Sequence, residues 1–156
     1  MSETKPVRWG IVGLGWAAAD FVAPAMVNSP GSEIVACLGS SPEKSKAFAE
    51  RFKVPRTPGD LHALLNDPDI DAVYIALPNA IHHQAVLAGA KAKKHMLCEK
   101  PFAMHAAEAR EMADACKQAG VILRIAHQIR MDNAVTRARE IVHSGQLGKI
   151  VSMSLE

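Results

Sequence analysis

The feature that most constrains this chain is a rhythm. Short runs of apolar residues recur between Val7 and Ala126, and each is followed by a helical pattern. The runs are Val7 to Leu14, Glu33 to Leu38, Asp71 to Leu77, His95 to Cys98 and Val121 to Ala126. They do not alternate between apolar and polar residues, so both faces of each strand must be covered. That is the signature of a parallel sheet packed between helices. Right-handed crossovers then give an α/β fold with a doubly wound, mainly parallel sheet of the Rossmann type. The helical signals between the runs are equally direct. Ala17 to Asn28 has helical character, although Pro24 must kink or end it. Ser41-Pro42 offers an N-cap and a proline at the first helical position, opening a helix to about Phe52. Asp60 can cap a short helix reaching Asn66. Ile81 to Lys91 and Ala106 to Ala119 read as longer helices, the second stopped by Gly120.

The last thirty residues break the rhythm. Asp132 or Asn133 can cap a helix whose apolar face is Ala134, Val135, Ala138, Ile141 and Val142. Beyond the turn bracketed by Gly145 and Gly148, Val151, Met153 and Leu155 alternate with Ser152, Ser154 and Glu156. Period two with one wet face predicts an antiparallel strand. The sequence therefore divides into a Rossmann-type domain over residues 1–126 and a connecting helix and first strand over 127–156. The latter is expected to begin a second, antiparallel α+β domain that is cut short at Glu156.

Composition narrows the function. The chain has 156 residues and a formal net charge of +2 with no block of like charge. That excludes a nucleic-acid stripe or a membrane-binding patch. No apolar run approaches the roughly 18 residues that span a bilayer. Met1 to Pro6 is short and polar, without a signal-peptide core, so a cytoplasmic location is expected. Cys37, Cys98 and Cys116 are far apart and form no Cys-x-x-Cys pair, which reads as buried thiols; no metal site is expected.

The first strand runs into Gly13-Leu14-Gly15-Trp16-Ala17-Ala18. Gly13-x-Gly15-x-x-Ala18 fits the dinucleotide fingerprint, with alanine as the third small residue. Gly13 permits the tight turn, Gly15 lets a pyrophosphate approach the backbone, and Ala18 allows close helix–strand packing. Leu14, Trp16 and Ala17 complete a cofactor-binding turn at a helix N-terminus, where free N–H groups favour phosphate. An acid near Gly39, after the second strand, would select NAD by binding the ribose 2′-hydroxyl. Gly39-Ser40-Ser41 stands there instead, with Lys44 one turn on. Two hydroxyls and an ammonium could hold a 2′-phosphate, so the cofactor is read as NADP or NAD with a lean to NADP. Capping of the following helix by Ser41 accounts for part of the same pattern.

A Cys98-Glu99-Lys100-Pro101 turn after one strand and a Pro78-Asn79-x-x-His82 segment after the preceding strand are more specific. With Gly13-Leu14-Gly15, Ser41-Pro42-Glu43-Lys44, Asp71 to Ala76, His127 to Arg130 and Gly148-Lys149-Ile150, they resemble the Gfo/Idh/MocA oxidoreductases over nearly the whole chain. The resemblance implies that Leu77, Pro78, Asn79 and His82 line the cofactor cleft and that Glu99 and Lys100 sit at the nicotinamide end. It gives Lys100 the catalytic role of reaching the substrate's reacting oxygen, and adds Arg130 to the cofactor-binding residues. His127 is left between lining the site and capping its strand, and the bond before Pro101 is expected to be cis. Two departures matter. Ser40 stands where the family carries an arginine, and the family's Asp-x-x-x-His acid/base motif occurs nowhere in this sequence. What is implied is an NAD(P)-dependent dehydrogenase or reductase moving a hydride to or from a sugar, polyol or related compound. Homo-oligomers through the C-terminal strand are a further expectation, and this chain alone should turn over little. The alternative is a stand-alone, non-catalytic dinucleotide-binding module or subunit.

Overall fold

The computed structural model describes residues 5–154. The chain divides into two compact units, one up to Ala126 and one from His127 onward. The first holds a five-stranded, all-parallel sheet. Its strands are β1 (Val7–Val12), β2 (Ser32–Leu38), β3 (Ala72–Ile75), β4 (His95–Cys98) and β5 (Leu123–Ile125), in spatial order β2-β1-β3-β4-β5. The strand order reverses between β1 and β3, and in such sheets ligands bind beyond the carboxyl ends at that switch point.

Two apolar layers cover the sheet. On one face, α1 (Ala23–Val27) and α2 (Pro42–Phe52) bury Met26 and Phe48 against Ile11, Cys37 and Tyr74. On the other, α3 (Leu61–Leu65), α4 (His82–Lys91) and α5 (Ala106–Ala119) bury Leu64, Val86 and Met112 against Val12, Val73 and Ile75. Successive residues of β3 thus feed opposite layers and all four are buried, as two-sided apolar runs require. Each such aliphatic side chain contributes about 1.5–3 kcal/mol on burial. The caps follow the sequence. Ser41 accepts from the Lys44 amide at 3.3 Å, Asp60 from that of Ala63 at 2.7 Å, and Gly120 ends α5 at φ +70°. All three cysteines are buried and free, and desolvation pushes the thiols of Cys37 and Cys98 up to about 11 and about 12.

Pro24 is accommodated differently from a kink or an early stop. A π-helical turn over Ala18–Val22 precedes α1, with the Ala23 amide donating to the Ala18 carbonyl. Pro24 then follows as the second residue of α1 in a helical run continuous from Trp16, and the wider π turn before it accommodates the missing N–H.

In the second unit, Asp132 caps α6 (Asn133–His143), accepting from the amides of Ala134 and Val135. No residue of α6 is buried. The strand expected over Val151 to Leu155 is not formed: residues 151–154 have no regular secondary structure, and Leu155 and Glu156 lie outside the described residues. The correction has a simple cause. A strand exists only through hydrogen bonds to a neighbour, and the sequence pattern records the face it would bury, not the partner that would pair with it.

Candidate dinucleotide site

At the carboxyl end of β1 the chain turns sharply. Gly13 has φ +88°, and a Cβ there would run into the Ala76 carbonyl group just past β3. Gly13 is therefore demanded by the fold. Its amide donates to the Leu38 carbonyl at 2.9 Å, and the Ala76 amide to that of Val12 at 2.8 Å, so all three strand ends are laced together. Gly15 is different. A Cβ on Gly15 would meet nothing within 4 Å. The first helical hydrogen bond runs from the Ala19 amide to the Gly15 carbonyl at 3.0 Å. The amides of residues 16–18 therefore have no acceptor within the helix, the condition that makes a helix N-terminus an anion site.

These amides face a cleft of about 810 Å³ between the turn, the end of β2 and the segment after β3. Of the residues singled out in the sequence, Gly13, Leu14, Gly15, Trp16, Ala17, Ser40, Lys44, Leu77 and Pro78 line it. The cleft wall also includes Leu61 and Ile81, which the sequence reading missed. They are ordinary apolar residues at a helix start and a turn, with no local signal of a ligand. Ser41 lies in a smaller adjoining cavity of about 180 Å³ with Thr57 and Pro58. Its hydroxyl is engaged at the start of α2. It accepts from the Lys44 amide and holds the exposed Glu43 carboxyl below the usual carboxylate range. Buried Ser45 braces this loop, accepting from the Gly39 amide at 2.9 Å and donating to the Ser41 carbonyl at 3.1 Å.

The remaining residues sit further along the carboxyl edge. Asn79 opens a short 3₁₀ turn and donates to the Met104 sulfur at 3.3 Å. His82 does not line the cleft; it is 1% exposed, with Nε2 2.8 Å from the Leu77 carbonyl and Nδ1 3.0 Å from that of Pro101. Its ring is committed to backbone carbonyls of two segments, because a buried imidazole must find partners within reach. Glu99 and Lys100 follow β4, and the Lys100–Pro101 bond is cis. Glu99 accepts from the Tyr74 hydroxyl at 2.6 Å and from the Lys100 amide at 3.1 Å, while Lys100 is exposed. Tyr74 is fully buried, and desolvation with the neighbouring Glu99 raises its phenol far above the usual range, keeping it a donor. It went unnoticed in the sequence, although a lone tyrosine inside a two-sided apolar strand must find a partner for its hydroxyl. Adjacent strands lie about 4.8 Å apart, so β4 ends roughly 10 Å from β1 along the same edge. Arg130 is exposed in a 3₁₀ turn, Gln128–Met131, of the second unit, and His127 immediately precedes that turn.

Three comparisons bear on this arrangement. Residues 7–127 match the family model described as the oxidoreductase family, NAD-binding Rossmann fold, Gfo/Idh/MocA. The chain is 35% identical over 145 residues to a 1,5-anhydro-D-fructose reductase of Ensifer adhaerens, covering 93% of this chain and 43% of that protein. It is 37% identical over 148 residues to a D-xylose 1-dehydrogenase (NADP(+)) of Haloferax volcanii, covering 95% and 45%. A solved 3-ketoreductase from Actinomadura kijaniata in complex with NADP superposes with a TM-score of 0.86 at 27% identity, over 94% of this chain and 46% of that one. The chain thus spans less than half the length of the relatives it matches. With its parallel sheet, its Gly13-x-Gly15 turn and a family match over most of its length, this chain belongs to the Gfo/Idh/MocA oxidoreductase family.

Proposed function

We propose that this chain binds a nicotinamide dinucleotide, NADP in preference to NAD, in the cleft at the β1–β3 switch point. In the whole protein it would serve hydride transfer to or from a sugar, polyol or related compound. The observation that carries the reading is Gly15, where the space a side chain would fill is open beside helix amides that lack acceptors. The amides of residues 16–18 would donate to the pyrophosphate, and Ser40 and Lys44 would adjoin the ribose of the adenosine half. Arg130 and Asn79 are assigned supporting contacts on the family resemblance alone. When bound, the nicotinamide supplies or accepts the hydride. This chain's own contribution at the chemical end is Lys100, whose ammonium would stabilise negative charge developing on the substrate oxygen. The relatives' names support an alcohol or carbonyl substrate, since a fructose derivative is reduced in one case and xylose oxidised in another.

The test is fluorescence titration of the chain with NADPH and NADH, alongside Gly15→Val. Wild type should bind both and NADPH at least as tightly. The valine should weaken binding by about a hundredfold, or ~2.7 kcal/mol. Equal titration curves for the two proteins would overturn the assignment.

A further inference from the structure

The turn that carries Lys100 is gripped from two sides by buried polar side chains. On one side, Tyr74 in β3 is fully buried and donates its hydroxyl to Glu99 Oε1 at 2.6 Å. A distance that short is typical of a charge-assisted O–H···O bond, stronger than a neutral one. The other carboxylate oxygen, Oε2, accepts the Lys100 amide at 3.1 Å. The Glu99 side chain is thus a link from the core of the sheet to the backbone of Lys100. On the other side, His82 opens α4 with its ring 1% exposed. Nδ1 lies 3.0 Å from the Pro101 carbonyl and 3.3 Å from that of Phe102; Nε2 lies 2.8 Å from the Leu77 carbonyl. Each ring nitrogen faces only backbone carbonyls, and whichever nitrogen carries the proton donates to the segment it faces. Buried at this depth, the ring has no water to substitute for either contact. One imidazole therefore lies between a wall of the cleft, Leu77, and the two residues that follow Lys100, in contact with both.

We propose that Tyr74 and His82 are positioning residues which together fix the Glu99–Phe102 turn and thereby set the place of Lys100 relative to the cleft wall. This rests on the reading of Lys100 given above for its purpose, but not for its geometry. Neither side chain need touch cofactor or substrate. Each acts through the backbone it holds. A lysine on an otherwise exposed turn samples many positions, and charge stabilisation works only when the donor is already in place as charge develops. Two buried clamps on the flanking residues would supply that order without placing a polar group in the cleft.

The test reads order at the turn and not turnover, so it stays valid whether or not a dinucleotide binds. Amide exchange and ¹⁵N relaxation are measured for wild type, Tyr74→Phe and His82→Gln, with thermal midpoints recorded for each. Phenylalanine keeps the ring that fills the core and removes only the hydroxyl. Exchange at the Lys100 amide should rise roughly tenfold, as expected for a lost hydrogen bond, while amides of β1 and β3 are unchanged. Glutamine at position 82 replaces the rigid ring with a flexible amide that cannot reach both segments in the same plane, so it should raise fast motion at Phe102 while sparing β1. If Tyr74→Phe does not fold, Glu99→Ala deletes the same bond from its half-buried end and is read at the Phe102 amide, since it also removes the acceptor of the Lys100 amide. Unchanged exchange at these amides in these variants, or a uniform rise across the sheet that follows global stability, would overturn the proposal. Should NADPH fail to bind wild type while the turn still loosens in the variants, the cofactor reading falls and the clamp stands.

Discussion

Two turns at the same edge of the sheet are built on opposite plans. The Gly13–Ala18 turn after β1 works through its backbone, and beyond Gly13 it leaves amides without helical acceptors and open space at Gly15. The Cys98–Phe102 turn after β4 consumes its polar groups internally: Glu99 is held by Tyr74, and the Pro101 and Phe102 carbonyls by His82. One charged side chain, Lys100, is left exposed between them. The difference separates two tasks. The first turn has unmet hydrogen-bonding capacity and can gain affinity from a ligand. The second has met its own and can hold a charge still.

The contrast can be broken within the first turn. Gly13→Ala should cost about 3 kcal/mol or more, since it combines a left-handed backbone with a clash against the Ala76 carbonyl group. Chemical denaturation measures this, and a stable alanine variant would mean the strand ends part more easily than their hydrogen bonds imply. Gly15→Val, by contrast, should change stability by no more than about 1 kcal/mol while losing ligand affinity. A pair of glycines two residues apart would then separate folding from binding.

The ribose end offers a smaller effect. Ser40→Asp should shift preference from NADPH toward NADH by about tenfold, ~1.4 kcal/mol, because two negative groups would meet. Ser40 is the better position for this than Gly39, where a Cβ would sit 3.1 Å from that of Lys44 and 3.2 Å from Leu14 Cδ1. An unmoved ratio in competition titrations would remove Ser40 from the ribose site.

Charge-dependent stability lies at the other end of the strands. Arg8 in β1 donates to both carboxylate oxygens of Asp71, and this holds the Asp71 carboxyl down at about 2. A depressed carboxyl contributes stability that is fully present above its unfolded value of about 3.9 and is lost as pH falls through the folded value. The side chain is partly exposed, so the contribution is about 1 kcal/mol after screening. Acid titration of stability should show this loss between about pH 4 and pH 2, and Asp71→Asn should remove it. An identical acid profile in the variant would place the loss elsewhere. Smallest of all, Lys100→Met should leave NADPH affinity within about threefold, or ~0.65 kcal/mol. A larger loss in titration would mean that the second turn binds cofactor directly.

Most of the sheet was legible because each strand's partners lie within the chain. Val73 and Ile75 face one helical layer and Tyr74 the other, so a run apolar at every position had one consistent solution. Val151 and Met153 carry an equally clear period-two pattern, yet no strand forms over residues 151–154, since pairing is not a property of the segment. The glycine turn was readable down to individual residues because the chemistry of close approach restricts side-chain size. The clamp was not. That His82 turns inward while His83 pairs with Glu111 on α5 depends on which way the 3₁₀ turn at Asn79–Ile81 enters α4. Pro24 likewise announced a disruption but not its form, because a π-turn and a kink both relieve the same missing donor.

The central claim is that the glycine turn's amides are the primary anchor for a dinucleotide. It is tested most directly by following backbone amide resonances as NADPH is added. The account predicts the largest changes at Leu14 to Ala18, smaller ones near Ser40 and Leu77, and the loss of all of them in Gly15→Val. Saturable changes that spare Leu14 to Ala18, or that persist undiminished in Gly15→Val, would contradict it.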